Sequence, residues 1–193
     1  MKGIDVSEHN GFINWQAVAD AGYEFAIIRC TYGRSGEDER FVENVNGAHS
    51  AGLRVGAYHY SYALDTEDAY QEALHCRRVI DTAGVLLDLP VFFDMEDADR
   101  YKADHDFTFD AEEITDICRE FINNIGLKCG VYASLSWLID YIDWCSLGCP
   151  VWNAQWGDED DFAGMIWQYT DKEYIPGASA GEHFDANIMY DHV

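Results

Sequence analysis

Short apolar runs alternate with helical stretches along most of this sequence, and a glycine follows each predicted helix. The helices are predicted near residues 14–21, 39–51, 66–83 and 110–125. The first, third and fourth begin at side chains that can cap a helix, namely Asn14, Asp65 or Thr66, and Asp110. The glycines are Gly22, Gly52, Gly84 and Gly126, each where a left-handed residue is expected after the last helical turn. This pattern indicates repeated strand–helix units.

Eight strands are predicted between and after these helices: Gly3–Val6, Phe25–Tyr32, Val55–Tyr62, Val91–Glu96, Gly130–Ala133, Val151–Trp156, Met165–Tyr169 and Phe184–Met189. Near-continuous apolar strands that alternate with helices are typical of an α/β fold with a parallel sheet covered on both faces. After Trp144 the helices shorten, which favours a small barrel that loses helices in its second half. A doubly wound open sheet is the alternative, but no Gly-rich phosphate loop follows the first strand. No linker divides the chain, so residues 1–193 are predicted to form one domain.

Acidic residues stand at the ends of three predicted strands. In a barrel of this kind the active site lies at the carboxyl ends of the strands. Asp5 ends the first strand, Asp94 and Glu96 end the fourth, and Asp185 lies on the last. Asp94 and Glu96 are two apart and would share one face of a strand, against apolar walls that raise one pKa above the other. One Asp-x-Glu pair is a weak signal among 36 acidic residues, but three strand ends together predict a carboxylate active site.

Aromatic residues make up 15% of the chain, with six Trp and twelve Tyr. Flat rings in such number fit a sugar-binding cleft, although core packing is an equal alternative for any single ring. Tyr58, Tyr60 and Tyr62 share one face of the third strand by alternation. The predicted substrate-binding residues are Tyr58, Tyr60, Tyr132, Trp152, Trp156 and Gln168.

The formal net charge of −24 excludes nucleic acid as a partner, because no basic stripe could neutralise phosphates. It also argues against an anionic membrane surface. The opening residues Met1-Lys2-Gly3 carry no apolar signal segment, and no apolar run reaches the length of a membrane span. We expect a monomer.

Several segments of the sequence, in order, resemble the glycoside hydrolase family 25 lysozymes, the muramidases of bacteria and their phages. They are Gly3-Ile4-Asp5-Val6-Ser7 with Asn10-Gly11, Phe25-Ala26-Ile27-Ile28-Arg29, Gly56-Ala57-Tyr58-His59-Tyr60, Pro90-Val91-Phe92-Phe93-Asp94-Met95-Glu96, Gly130-Val131-Tyr132-Ala133-Ser134, Trp152-Asn153-Ala154-Gln155-Trp156, Trp167-Gln168-Tyr169-Thr170 and Asp185-Ala186-Asn187. The likeness spans the whole chain. Phe184, where the family usually has a Val-like residue, and the acidic stretch around Cys145–Cys149 depart from the pattern.

The resemblance implies a TIM-like (β/α)5(β)3 barrel that cleaves the β-1,4 bond between N-acetylmuramic acid and N-acetylglucosamine in peptidoglycan. Glu96 matches the family's general acid and Asp94 its second carboxylate, which suggests a substrate-assisted route. Asp5 and Asp185 match two further aspartates of the cleft. No cofactor and no metal are implied. The partner is the peptidoglycan glycan strand and the place of action is the cell wall. No separate wall-binding module is expected within these residues.

Two other functions stay open at the level of sequence. A metal-dependent polysaccharide deacetylase would also place Asp and His at strand ends, and His9, His59 and His183 lie near the motifs, but no His-x-x-x-His pair is present. An inactive wall-binding module would have lost an acidic position, and none is lost. Cys145 and Cys149 are the one plausible local disulfide pair, and the other four cysteines are predicted to be reduced thiols.

Overall fold

The structure, a computed structural model, describes residues 1–179 and 183–190. Its strands are β1 (Lys2–Val6), β2 (Phe25–Tyr32), β3 (Gly36–Glu37), β4 (Arg54–Tyr60), β5 (Val91–Asp94), β6 (Cys129–Ser134), β7 (Val151–Ala154), β8 (Ile166–Glu173) and β9 (Phe184–Met189). Its helices are α1 (Trp15–Asp20), α2 (Phe41–Ser50), α3 (Thr66–Ala83), α4 (Tyr101–Asp104), α5 (Ala111–Asn124), α6 (Leu135–Asp140) and α7 (Trp144–Leu147), and a short 3₁₀ helix covers Glu8–Asn10. Asn14, Asp65 and Asp110 cap α1, α3 and α5 through their side chains, as predicted. The four predicted glycines have positive φ angles.

Eight strands close into a barrel. They pair in the order β1, β2, β4, β5, β6, β7, β8 and β9, and β9 returns to β1, while β3 is a short addition beside β2. The predicted α/β barrel is therefore confirmed, and the open sheet is wrong. No helix in residues 1–179 or 183–190 is long and apolar enough to cross a membrane.

The last strand runs against its neighbours. Strands β1 to β8 of the barrel are parallel, but β9 is antiparallel to both β8 and β1. The expectation of a wholly parallel sheet is thus wrong for β9. Its connection from β8, residues 174–183, is shorter than the crossover of about a dozen or more residues that parallel strands need. Consequently the amino end of β9 lies at the same edge as the carboxyl ends of the other strands, and Asp185 reaches that edge.

Three residues predicted within strands lie two positions beyond a strand end: Tyr62 after β4, Glu96 after β5 and Trp156 after β7. The apolar runs stop earlier than predicted, and polar loops begin there. Strand alternation therefore does not fix the direction of these three side chains, which belong to the rim of the barrel. Asp94, the last residue of β5, stays within the strand.

Side chains alternate between the inside of the barrel and its helical coat. A cluster of apolar residues fills the inside, namely Phe25, Ile27, Leu89, Phe92, Trp152, Ile166 and Met189. The residues between them, such as Ala26, Ile28 and Phe93, belong to the larger core beneath the helices. Along β5 the alternation puts Phe92 in the interior and Asp94 in the next inward position toward the carboxyl edge. The barrel thus has an apolar floor and a polar mouth.

All six cysteines are free thiols, so Cys145 and Cys149, the one plausible local pair, are not joined in the structure. Cys145 is exposed on α7, whereas Cys149 is half-buried and acts electrostatically on the buried thiols Cys118 and Cys129. The two residues therefore belong to different surroundings. The buried thiols Cys30 and Cys76 are in contact, with their Sγ atoms 3.4 Å apart.

Candidate active site

A cleft of about 190 Å³ opens at the carboxyl edge of the barrel. It is lined by Asp5, Ser7, His9, Arg29, Tyr58, Tyr60, Asp94, Glu96, Tyr132, Trp152, Gln168 and Asp185. A neighbouring hollow of about 480 Å³ shares His9, Arg29 and Tyr60 with it, so the two form one groove across the mouth. Every predicted site residue except Trp156 lines the cleft. Residues from β1, β2, β4, β5, β6, β7, β8 and β9 meet there.

Asp5 is held by two side-chain amides. Its Oδ2 accepts hydrogen bonds from Gln168 Nε2 at 3.0 Å and from Asn187 Nδ2 at 2.8 Å. Each amide is fixed in turn, since Trp152 Nε1 donates to Asn187 Oδ1 at 2.8 Å and the Tyr132 hydroxyl donates to Gln168 Oε1 at 3.1 Å. The orientation of Asp5 is therefore set by a network that spans the five strands β1, β6, β7, β8 and β9.

Asp5 also faces Asp185 directly, because the two are register partners on β1 and β9. Their carboxyl groups are hydrogen-bonded to each other. Burial raises the pKa of Asp5 to about 6, and the hydrogen bonds from Asn187, Gln168 and Asp185 limit the rise. Burial and the charge of Asp5 raise the pKa of Asp185 to about 8. The pair thus holds one proton near neutral pH, with Asp185 as the donor and Asp5 as the acceptor.

Asp94 and Glu96 differ in burial. Asp94 is 4% exposed, and burial together with the charge of Glu96 holds its pKa well above the usual range for an aspartate. Its Oδ1 is buried without a hydrogen-bond partner among the described residues. Glu96 is half-buried, and burial raises its pKa to about 7, against the lowering effect of Lys102. Glu96 can therefore carry a proton near neutral pH, and Asp94 brings a buried carboxyl oxygen without a partner among the described residues to the same cleft.

The predicted aromatic residues have different exposures. Trp152 is only 1% exposed, and it packs edge-on against Phe92 and Tyr132 at centroid distances of 5.4 and 4.5 Å. Its ring belongs to the floor of the cleft. Trp156 is 60% exposed at the rim, and its Nε1 donates to Gln168 Oε1 at 3.1 Å. Trp156 therefore offers an open ring face beside the network that holds Asp5.

Sequence reasoning missed Arg29, Ser7 and Asn187 as site residues, and it considered His9 as a metal ligand only. Arg29 is a charged residue inside the apolar run of β2, and its guanidinium binds Asp38 Oδ2 at 2.9 Å and Glu8 Oε1 at 3.0 Å. A charged residue within an apolar strand indicates a side chain that lies at the polar mouth of the barrel. Asn187 could have been found by alternation, because it is two residues from Asp185 on β9 and so shares its face.

The three histidines weighed as metal ligands lie in different surroundings. His59 is fully buried outside the barrel, where Nδ1 lies 2.8 Å from Thr31 Oγ1 and the ring stacks on Phe121. His9 lies by Arg29 and His183 beside Tyr174. Within residues 1–179 and 183–190, no three His, Cys, Asp or Glu side chains form a group that could hold a metal ion.

The sequence of this chain matches a known protein family. The family model described as "Glycosyl hydrolases family 25" matches residues 4–178. The chain belongs to this family. The predicted family and enzyme class, a glycoside hydrolase, are confirmed.

Relatives of this family 25 chain include the "Autolytic lysozyme" of Clostridium acetobutylicum, 29% identical over 191 residues that cover 96% of this chain and 55% of the relative. "Lysozyme M1" of Streptomyces globisporus is 46% identical over 61 residues, 32% of this chain and 21% of that one. The solved structure of the autolysin LytC from Streptococcus pneumoniae, in complex with a synthetic peptidoglycan ligand, has a TM-score of 0.86 at 25% identity and covers 98% of this chain and 46% of that one. The family 25 chain spans 55% of the autolytic lysozyme and a smaller share of Lysozyme M1.

Proposed function

We propose that this family 25 chain hydrolyses peptidoglycan by cleaving the β-1,4 bond between N-acetylmuramic acid and N-acetylglucosamine, with Glu96 as the general acid. The observation that carries the proposal is the half-buried Glu96 carboxyl at the barrel mouth, whose pKa is raised to about 7, next to the buried Asp94. The names of the relatives, lysozymes and an N,O-diacetylmuramidase, support the same bond class.

In the first step Glu96 donates its proton to the glycosidic oxygen, and the bond from that oxygen to C1 of the muramic sugar breaks. The carbonyl oxygen of that sugar's own acetamido group attacks C1 and forms a cyclic oxazolinium ion. The acetamido N–H donates to Asp94 Oδ1, the buried acceptor without a partner of its own, and the carboxylate stabilises the positive charge. The leaving sugar departs as an alcohol.

In the second step water adds to C1 and the C1 bond to the acetamido oxygen breaks. Glu96, now a carboxylate, takes the proton of that water and is restored as an acid. The two displacements at C1 retain the configuration of the sugar. The raised pKa of Glu96 suits this cycle, since Glu96 must exchange a proton near neutral pH.

The Asp5–Asp185 pair and the rings complete the proposed site. Asp185, the protonated member of the pair, is half-buried. Asp5 and Asp185 both line the cleft, where their carboxyl groups can form hydrogen bonds with sugar hydroxyls. The substrate-binding roles of Tyr58, Tyr60, Tyr132, Trp152, Trp156 and Gln168 remain proposals. Of these, Trp156 has the open face that stacking on a sugar needs.

We propose residues 1–193 as one catalytic unit that acts as a monomer on the glycan strands of the cell wall, without a cofactor. The autolysin and endolysin relatives support that place of action.

Muropeptide analysis tests the proposal. Purified peptidoglycan is digested, the new reducing ends are converted to alcohols with borohydride, and the products are identified by mass spectrometry. Muramitol ends that are absent from a Glu96→Gln digest are expected. Glucosaminitol ends would identify a different bond, free acetate without cleavage a deacetylase, and binding without any new ends an inactive module.

A further inference from the structure

Lys102 is a buried cation in the wall behind the proposed catalytic acid. It is 1% exposed on the short helix α4, and it lines neither the cleft nor the hollow beside it. A lysine is almost never fully buried unless its ammonium is paired. Its Nζ donates to the carbonyl oxygen of Ser61 at 2.6 Å and to that of Glu96 at 2.9 Å. One ammonium therefore ties the loop after β4 to the loop after β5.

The main chain around Lys102 is fixed as well. Its backbone N–H donates to Asp97 Oδ1 at 2.7 Å, which closes the loop that carries Glu96. On the other side, Ser61 N donates to Asp94 O at 3.1 Å, and the Ser61 hydroxyl donates to Glu72 Oε2 at 2.8 Å. The Lys102 ammonium is thus held between two loops whose own positions are set by hydrogen bonds, and it cannot leave Glu96 without breaking them.

The charges around this ammonium are acidic. Those that act on Lys102 are Glu72 on α3, Asp94 on β5, and Asp97 and Asp99 in the following loop. Burial lowers the pKa of Lys102, whereas these carboxylates raise it. In return, the positive charge of Lys102 lowers the pKa values of Glu96 and Asp94, both of which burial raises.

The Glu96 carboxyl is faced by groups from several strands. The acidic ones are Asp5, Asp94, Asp97, Asp99 and Asp185. The charge of Glu96 also raises the pKa values of the hydroxyl groups of Tyr60 and Tyr132. Lys102 is the cation that lowers the pKa of Glu96, and Arg29, which lines the same cleft, is a second cation that lowers the pKa of Asp94 together with Lys102.

We propose that Lys102 is a positioning residue of the reaction: its ammonium anchors the main chain of Glu96 and supplies the positive charge that lets Glu96 and Asp94 give up protons near neutral pH. This inference rests on the proposed role of Glu96. Because Lys102 touches the main chain and not the cleft, it acts through Glu96 and Asp94 and does not contact the substrate.

The test is Lys102→Met, which keeps much of the side-chain length and removes the charge. We expect the alkaline limb of the kcat profile, where Glu96 loses its proton, to move up by about one pH unit, the lower end of the effect of one close charge. We expect kcat at neutral pH to fall at least about tenfold, since a displacement of about 1 Å can cost about 100-fold. KM should stay within about twofold of wild type because the cleft lining is unchanged.

The matched control is Lys128→Met. Lys128 is exposed just before β6, at the opposite edge of the barrel, so this variant makes the same change in net charge away from the cleft. Glu72→Gln serves as a second control, since it disturbs the hydrogen bonds of Ser61 while leaving the cation in place. Lys128→Met should not move the alkaline limb, and Glu72→Gln should move it less than Lys102→Met does, because Glu72 acts on the charge of Lys102 and leaves the ammonium in place.

A measurement without turnover separates this proposal from the proposed function. The side-chain carboxyl of Glu96 is titrated by NMR in ¹³C-glutamate-labelled protein and assigned through the signal that Glu96→Gln removes. An upward shift in Lys102→Met supports the role of Lys102 even if muropeptide analysis shows another bond to be cut. If Lys102→Met does not fold, the double variant K102M/E72Q removes both buried charges, and the same shift is expected there. An unmoved titration in the folded variant overturns the proposal, and so does a kcat loss no larger than that of Glu72→Gln.

Discussion

Asp5 and Asp185 meet as register partners on β1 and β9, and their carboxyl groups share a hydrogen bond inside the barrel mouth. The contact exists because β9 runs antiparallel to β1, which brings an acidic residue at the start of one strand beside an acidic residue near the end of the other. Two carboxyl groups so close cannot both be ionised without repulsion, so the protonation of the site depends on the fold.

The pair should make the protein less stable as the pH rises. Burial raises the folded-state pKa of Asp5 from 3.8 to about 6 and that of Asp185 from 3.8 to about 8. A carboxyl group whose pKa is higher in the folded state than in the unfolded state binds more protons when folded. Its contribution to the free energy of unfolding is therefore complete below about pH 4 and is lost as the pH passes about 8. Melting temperatures of wild type should therefore fall between pH 5 and pH 8. Asp185→Asn should flatten the upper part of that fall, whereas Asp158→Asn at an exposed position should not. Parallel curves for wild type and Asp185→Asn would contradict the shared proton.

Glu96→Gln should abolish cleavage while leaving the fold intact, because an amide keeps the shape of the side chain and cannot donate the proton that the leaving oxygen needs. We expect a loss of at least about 100-fold in kcat. Glu112→Gln, at an exposed position on α5, is the matched control and should be fully active. The measurement is the rate of new reducing ends, with circular dichroism to verify folding. A folded Glu96→Gln variant that cleaves at the wild-type rate would remove Glu96 from the reaction.

The rate should also report the protonation of Glu96. Its pKa is raised to about 7, and the proposed acid is competent only when protonated. On a short uncharged glycan, kcat should therefore be high below about pH 7 and fall roughly tenfold per pH unit above it. A profile that stays flat to pH 9 would mean that another group donates the proton.

The net charge predicts how salt concentration affects the rate of lysis of intact cell walls. A protein of net charge −24 is repelled by a wall rich in anionic polymers, over roughly 30 Å at 0.01 M salt but only about 10 Å at 0.1 M. Initial lysis rates on such walls should rise with moderate salt, whereas cleavage of short uncharged fragments should barely change. A fall in wall activity with salt would show that a local basic patch guides binding, and Arg29 in the cleft would be the first residue to substitute.

The sequence predicted those parts of the molecule that depend on short-range pattern. Apolar runs, helix caps and glycines mark the barrel, and Asp5 and Asp94 follow from the rule that strand ends form the site. Glu96 was predicted at a strand end and Trp156 within a strand, but both lie two residues beyond their strands, so alternation did not predict where their side chains lie. Lys102 was not found, because nothing in the local pattern Asp99-Arg100-Tyr101-Lys102 shows that a lysine on a short helix is buried. Its burial results from contacts with Ser61, which is 41 residues away in the chain.

The sequence separation between Asp5 and its hydrogen-bond partners also determines at what stage of folding the site can form. Asp5 lies on β1, whereas its amide donors Gln168 and Asn187 are 163 and 182 residues later in the sequence. Until β8 and β9 have closed the barrel, Asp5 has neither donor nor its carboxyl partner, and the polar mouth is open on one side. Contacts of such long range form late in folding. The arrangement around Asp5 is therefore complete only once β8 and β9 have joined the barrel and β9 has paired with β1.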